Sequence, residues 1–266
     1  MIDLEMLKLQ ALKTGLGIKY LSKEERVSHL LKQLDEIFSD KNIVLKGGTA
    51  LNRGYLYQQK KGRFSEKIDL DYIEEISLDK KIKIIKKNMN KIVDYKIDKP
   101  RLLHRTLRFD CIYTNQIEEK DRVKVEFYLS KKNKIANFKK ILLQSQYLPV
   151  EATNFQVYFF EELLAQKLIA LYRRTEGKDI YDLFYGLELE FDKKEVYDSL
   201  KNLFNHYHMD LNRKEFFEKI IHKIKEMEKN SKYVGNSTNH FIPKKLRPNW
   251  KIFIRDLNDK IKNIFW

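Results

Sequence analysis

Lys46-Gly-Gly-Thr-Ala-Leu51, followed by Arg63-Phe-Ser-Glu-Lys-Ile-Asp-Leu-Asp71, is the stretch whose reading decides the fold. The short apolar run Asn42-Ile-Val-Leu45 predicts a strand, and Thr49 is placed to cap a helix that runs to about Tyr57. A strand that ends in two glycines and enters a helix brings backbone N–H groups and the positive helix end close to anionic phosphates, with no side chain in the way. Lys67-Ile-Asp-Leu-Asp-Tyr-Ile73 then alternates polar with apolar residues, the period of a half-buried strand. Lys67, Asp69 and Asp71 therefore share one face, and carboxylates at i and i+2 are spaced to hold a divalent cation between them. Each half is common by itself. In this order, glycine turn, helix and acidic strand predict a site for a nucleoside triphosphate with Mg²⁺.

Working outward, residues 22–39 open with Ser22 three positions before Glu25, a capping-box spacing, and place Val27, Leu30, Leu31, Leu34 and Ile37 at helical intervals. A Lys/Ile helix over 79–93 and two alternating strands, Leu103–Tyr113 and Val123–Leu129, follow the acidic strand. Pro149 and Glu151-Ala-Thr-Asn-Phe-Gln156 mark a boundary, after which helical periodicity dominates. Glu161–Arg174 is the clearest helix, with Gly177 as its stop, and Asp179–Leu187, Lys193–Phe204, Arg213–Met227 and Asn249–Ile264 read as further helices. The expected fold class is α/β (α+β): a lobe with a mixed sheet over residues 1–150, then a helical lobe with a basic tail over 151–266.

Composition sets the outer bounds. The 266 residues are 42% apolar with nine Gly and four Pro, which excludes disordered and collagenous chains. No apolar run reaches the roughly 18 residues that span a bilayer, so a soluble cytoplasmic protein is expected. Cys111 is the lone cysteine, which rules out an internal disulfide, and its strand context argues for ordinary burial. Lys+Arg outnumber Asp+Glu by 53 to 38, a net charge of +15 that suits a polyanionic partner such as nucleic acid. Residues 201–266 carry about half of the excess, with 15 Lys+Arg against 7 Asp+Glu. Within them, Phe241-Ile-Pro-Lys-Lys-Leu-Arg-Pro-Asn-Trp250 mixes aromatic and basic side chains as an RNA-contacting segment would.

The string KGGTAL…RFSEKIDLD closely resembles the KGGTAL…RxSxDxDL signature of the AbiEii-like nucleotidyltransferases. That branch of the DNA polymerase beta-type superfamily includes toxins of type IV toxin–antitoxin and abortive-infection systems. A second block, Glu161-Glu-Leu-Leu-Ala-Gln-Lys-Leu-Ile-Ala-Leu-Tyr-Arg-Arg174 with Lys178-Asp-Ile-Tyr-Asp182, resembles the E-x₅-K-x₂-A-x₂-R…RDxxDL helix pair of the same family, with Lys178 in place of the usual Arg. The resemblance covers residues 24–190 and implies a nucleotidyltransferase fold that moves a nucleoside monophosphate from a triphosphate to RNA, such as the 3′ end of tRNA, with Mg²⁺. A cognate antitoxin is the implied protein partner.

Residue by residue, the resemblance implies that Gly47, Gly48 and Thr49 approach the triphosphate and that Ser65 sits at the phosphate end. It implies Asp69 as a metal-binding carboxylate and Lys167 as a phosphate contact, with Asp179 and Asp182 completing the helix-pair motif. Glu126, in Val-Lys-Val-Glu-Phe, falls on a later strand where such folds place a third carboxylate that activates the attacking hydroxyl. The expected metal set is thus Asp69, Asp71 and Glu126. Each motif also has a plain structural reading: a strand-to-helix turn at Gly47-Gly48, a snorkelling Lys167, and Asp179 and Asp182 at a helix start.

Lys67 stands where the family has its first strand carboxylate, and two readings stay open. Asp69 and Asp71 form the pair one step along the strand, displaced by about 6–7 Å at a rise near 3.3 Å per residue. Alternatively the Lys67 ammonium replaces a cation, pairing with Asp69 or with a nucleotide phosphate, so that binding survives while transfer is severely weakened.

Overall fold

The computed structural model describes residues 2–38, 42–129 and 137–265 and divides into two units, Met1–Tyr158 and Phe159–Trp266. The first opens with α1 (Leu4–Thr14) and α2 (Ile18–Ile37). Asp3 caps α1 by accepting from the Met6 amide, and Gly15 closes it in the left-handed region at φ 69°. With the chain turned there, α2 starts right after Gly17, ahead of the Ser22 cap expected from spacing. Ser22 is buried inside the helix, and its hydroxyl donates to Gln116 Oε1.

The glycine turn joins β1 (Ile43–Lys46) to α3 (Gly47–Leu51), whose last turn widens over Asn52–Leu56. Next come β2 (Lys67–Tyr72), α4 (Leu78–Met89), β3 (Lys96–Ile97), β4 (Arg101–Leu103), β5 (Thr106–Thr114), β6 (Lys120–Tyr128), β7 (Phe138–Leu143) and β8 (Thr153–Tyr158). The strands form one mixed sheet in the order β3-β5-β6-β2-β1-β8-β7, with β4 paired on β5. β2 runs antiparallel to β1 and parallel to β6, and β1 runs parallel to β8. Most of the strand expected over Leu103–Tyr113 is β5, but its first residue, Leu103, ends β4, which pairs back on β5 through a turn with His104 at φ 52°. β8 takes up the segment expected as a boundary, because Phe155 and Val157 alternate into the core while its backbone pairs with β1 and β7.

Period-two alternation fixes which face does what. Ile68 and Leu70 of β2 and Val123, Val125 and Phe127 of β6 are buried, and α2 covers this side of β2, β6 and β8. Lys67, Asp69, Asp71 and Glu126 lie on the opposite side chains of the same pleats.

The second unit is a bundle of α5 (Phe160–Arg173), α6 (Gly177–Gly186), α7 (Lys193–Tyr207), α8 (Arg213–Lys229), α9 (Ser231–Thr238) and α10 (Trp250–Phe265). Gly177 does not stop α5. It opens α6 in a spot where a Cβ would collide with Val234 and Thr238. α8 carries a reciprocal capping box between Asn212 and Glu215. Phe253 stacks on Phe184 at 3.9 Å between ring centres, and Tyr181, Tyr185 and Trp250 surround it as the centre of the bundle.

One buried ion pair ties the segment after the glycine turn to α2. The Arg53 guanidinium meets the Glu24 carboxylate at 2.9 Å and donates to Ser28 Oγ at 2.7 Å, with both residues buried. Removing one partner strands the other charge, so Glu24→Gln is expected to lower the unfolding free energy by about 3–5 kcal/mol. Urea denaturation measures this, and a loss below about 1 kcal/mol would contradict the pair's structural role.

Candidate active site

Two glycines are needed at the turn for different reasons. Gly47 sits at φ 71°, in the left-handed region, and a Cβ there would lie 2.8 Å from Asp69 Oδ2. Gly48 has ordinary φ, but its Cβ would lie 2.7 Å from Arg63 Nη2 and 3.4 Å from Ser65 Oγ. Backbone thus passes directly over the acidic strand and over the start of the Arg63-Phe-Ser65 segment. Thr49 is not the helix cap expected from its position, since α3 begins at Gly47. Its hydroxyl is 2.9 Å from Ser65 Oγ and bonds the Lys67 carbonyl, which fastens α3 to the entry of β2.

The register of β2 on β6 sets Asp69 opposite Glu126. Between these two carboxylates lies the ammonium of Lys67, with Nζ 2.8 Å from Asp69 Oδ1 and 3.1 Å from Glu126 Oε2. Arg108, opposite Glu126 on β5, approaches its other oxygen at 3.9 Å. Asp71 turns to different partners. Lys46 pairs with its Oδ1, the Tyr158 hydroxyl donates to its Oδ2 at 2.7 Å, and Lys46 Nζ also lies 4.5 Å from the centre of the Tyr128 ring.

Each carboxylate is therefore matched by a cation of the chain itself. For Lys67, partial burial works to lower the pKa, but Asp69 and Glu126 outweigh it and raise the pKa above the ordinary lysine value. For Asp69, burial works to raise the pKa, and the opposing pull of Lys67, aided by Lys46, holds it below the usual carboxylate value. Both groups stay charged at neutral pH. Cys111 differs: burial pushes its thiol up to about 12, so it supplies no thiolate.

Lys167, Asp179 and Asp182 form a cluster of their own within the second unit. Lys167 on α5 places Nζ 2.9 Å from Asp179 Oδ1 and 2.6 Å from Asp182 Oδ2 on α6, and both aspartates are fully buried. Arg174 adds Nε at 2.8 Å from Asp179 Oδ2. Burial pushes the Asp179 pKa up, but Lys167 and Arg174 hold it well below the ordinary range. Neither acid is a helix cap. Their lysine locks α5 to α6, with its ammonium bridging the two carboxylates.

With this geometry in place, the family model of the nucleotidyl transferase AbiEii toxin of type IV toxin–antitoxin systems matches residues 29–263. The chain belongs to that family. The match runs through the basic helices of the second unit, well past residue 190, where the motif resemblance ends. MenT4, a nucleotidyltransferase toxin from Mycobacterium tuberculosis H37Rv, shares the fold at a TM-score of 0.61 and 16% identity, over 99% of this chain and 90% of that one. JHP933 from Helicobacter pylori does so at 0.56 and 17% identity, over 94% and 93% of the two chains. A further structure, a putative nucleotidyltransferase from H. pylori, reaches 0.52 at 16% identity, over 93% and 98%. No curated protein matches.

Nucleotidyltransferases generally use nucleoside triphosphates with a divalent metal. The residues of this AbiEii-family chain do not fit such a metal as they stand. Lys67 fills the space that Asp69 and Glu126 share, and Asp71 is held by Lys46 and Tyr158. Among the described residues, no three His, Cys, Asp or Glu side chains converge as a group able to hold a metal ion. Of the residues predicted for the site, Gly47, Gly48, Thr49, Ser65, Lys67, Asp69 and Glu126 do come together. Arg63, Lys46, Arg108 and Tyr158 were not predicted. For Arg108 the signal was available, because alternation in Thr106-Leu-Arg-Phe-Asp110 sets it on the face of Asp110, but its pairing with Glu126 needs the strand register.

Two outcomes are expected. Lys67→Ala removes the cation that opposes burial at Asp69, so Asp69 will take up a proton at higher pH than in the native protein. Carboxyl ¹³C titration by NMR reads this directly, and an unchanged titration would contradict it. Lys167→Ala leaves two buried aspartates without their shared partner and should cost about 3–5 kcal/mol. Because the folded-state pKa of Asp179 is depressed, its contribution to stability is present above the unfolded value near 3.9 and is lost as pH falls below it. Acid unfolding of Asp179→Asn should accordingly be less steep in pH than that of the native protein.

Proposed function

We propose that this AbiEii-family protein binds a nucleoside triphosphate at the Gly47-Gly48 turn and an RNA partner through its basic surface, with nucleotidyl transfer suppressed by Lys67. The observation that carries the reading is the Lys67 ammonium seated between Asp69 and Glu126. A divalent cation would have to expel an ammonium held by two carboxylates in a half-buried site. It would gain no help from lysine deprotonation, because the Lys67 pKa is raised. In this reading the same ammonium and that of Lys46 instead meet phosphate oxygens brought in over the glycine turn. tRNA is the proposed RNA, the cytoplasm the proposed setting, and a cognate antitoxin the proposed protein partner, all by family membership.

A second reading has one observation in its favour. The Lys67 side chain is 40% exposed, so its ammonium can swing to a bound triphosphate and free the two carboxylates for Mg²⁺ and for transfer of a nucleoside monophosphate to RNA.

The test is label transfer from each α-labelled triphosphate to total RNA with Mg²⁺, run beside calorimetric triphosphate binding with and without Mg²⁺, for the native protein and for Lys67→Asp. The expected result is native triphosphate binding that does not need Mg²⁺, with no transfer above background. Lys67→Asp should gain Mg²⁺-dependent binding and at least about a hundredfold more transfer, the scale of one transition-state electrostatic contact. Robust transfer by the native protein would overturn the proposal in favour of the second reading.

A further inference from the structure

Where α8 bends into α9, beside the start of α10, the second unit carries an open groove of about 800 Å³. Lys225, Lys229, Lys232 and Lys251 line it, together with Tyr233 and Glu228. The four lysines are exposed, and none of them is in an ion pair among the described residues. Glu228 does not offset them, because Arg255 already holds its Oε1 through Nη2 at 2.8 Å and Nε at 3.1 Å. Lys225 and Lys229 stand one helical turn apart on α8, and Lys232 follows across the bend.

Tyr233 sets this patch apart from a merely solvated lysine face. Its ring is 73% exposed, although its neighbours Val234 and Gly235 are buried and Gly235 packs against the Trp250 indole. Trp250 in turn donates Nε1–H to Asn239 Oδ1 at 2.8 Å. α9 is thus anchored on one side while it presents an aromatic face to water among four positive charges. An aromatic ring beside backbone-neutralising lysines is the arrangement that binds unpaired bases. A duplex hides its base faces, and an anionic membrane needs an apolar face to insert, whereas α10 keeps Phe253, Ile254, Leu257 and Ile261 in the core.

We infer that this groove docks single-stranded nucleic acid, with the lysines on backbone phosphates and Tyr233 stacked on a base. The inference deepens the RNA reading above and rests on it for the class of partner. It does not depend on the state of Lys67.

The experiment measures anisotropy of a labelled oligouridine against salt concentration for the native protein, K229A/K232A/K251A, Tyr233→Ala and Tyr233→Phe. Melting temperature and triphosphate binding serve as controls, and both should stay unchanged in all variants. The triple variant should bind at least about tenfold more weakly, with a salt slope reduced by about 2, the value for three phosphate contacts on a single strand. Tyr233→Ala should lose about fivefold or more and Tyr233→Phe should retain binding, as stacking requires. Native-like binding by the triple variant and by Tyr233→Ala would overturn the groove while leaving the RNA partner standing. No binding of any strand by the native protein, with triphosphate binding intact, would overturn the partner class in both readings. Equal affinity for duplex RNA, or equal competition by polyglutamate or anionic vesicles, would reduce the groove to unspecific electrostatics and also overturn the inference.

Discussion

Parallel pairing of β2 with β6 sets Asp69 directly across from Glu126, and two carboxylates side by side in a half-buried pocket require a positive charge between them. In this chain the charge is covalently attached. Lys67 lies two residues before Asp69 on the same face, so its flexible stem delivers an ammonium to the gap without leaving the strand. Much of the surrounding architecture follows from keeping that gap narrow. Gly47 lets the backbone pass within contact of Asp69, Thr49 and Ser65 clamp α3 to the start of β2, and Lys46 with Tyr158 draws Asp71 away to its own partners.

The same physical solution occurs in the second unit with the roles reversed. There the two acids, Asp179 and Asp182, sit on one helix, and the lysine comes from another. Because that cluster is fully buried, its geometry serves packing, and its charges hold α5 and α6 in register. Lys67 remains partly open to solvent, so its ion pairs are available to an incoming anion in a way that those of Lys167 are not. Two lysine–diacid clusters of nearly equal distances therefore point to different kinds of work, and burial makes the difference.

Family membership and site chemistry answer different questions here. Membership among the AbiEii nucleotidyltransferase toxins fixes the scaffold that brings a glycine turn over an acidic strand. What the scaffold does depends on a few side chains, and the Lys67 ammonium puts a positive charge between Asp69 and Glu126, two carboxylates that would otherwise draw a cation. The basic surface of the second unit is independent of that exchange, since its lysines lie on α8, α9 and α10.

The alternation of β2, the glycine turn and the helix pair around Lys167 were legible because each is a local pattern, in which period and spacing alone place side chains on a common face. Helix starts at Ile18 and Gly47 were misjudged from Ser22 and Thr49, since a hydroxyl at cap spacing is equally a buried donor to a distant partner, Gln116 in one case and the Lys67 carbonyl in the other. β8 was not legible because its place in the sheet comes from pairing with β1, far back along the chain, and β7 because it is an edge strand that pairs with β8. By itself the sequence determined that Lys67, Asp69 and Asp71 share one face, for a strand admits no other arrangement. Only the tertiary structure decided that Lys67 bridges Asp69 to Glu126 while Asp71 belongs to Lys46 and Tyr158, because which charges meet across a sheet is set by the register of strands that the sequence does not place side by side.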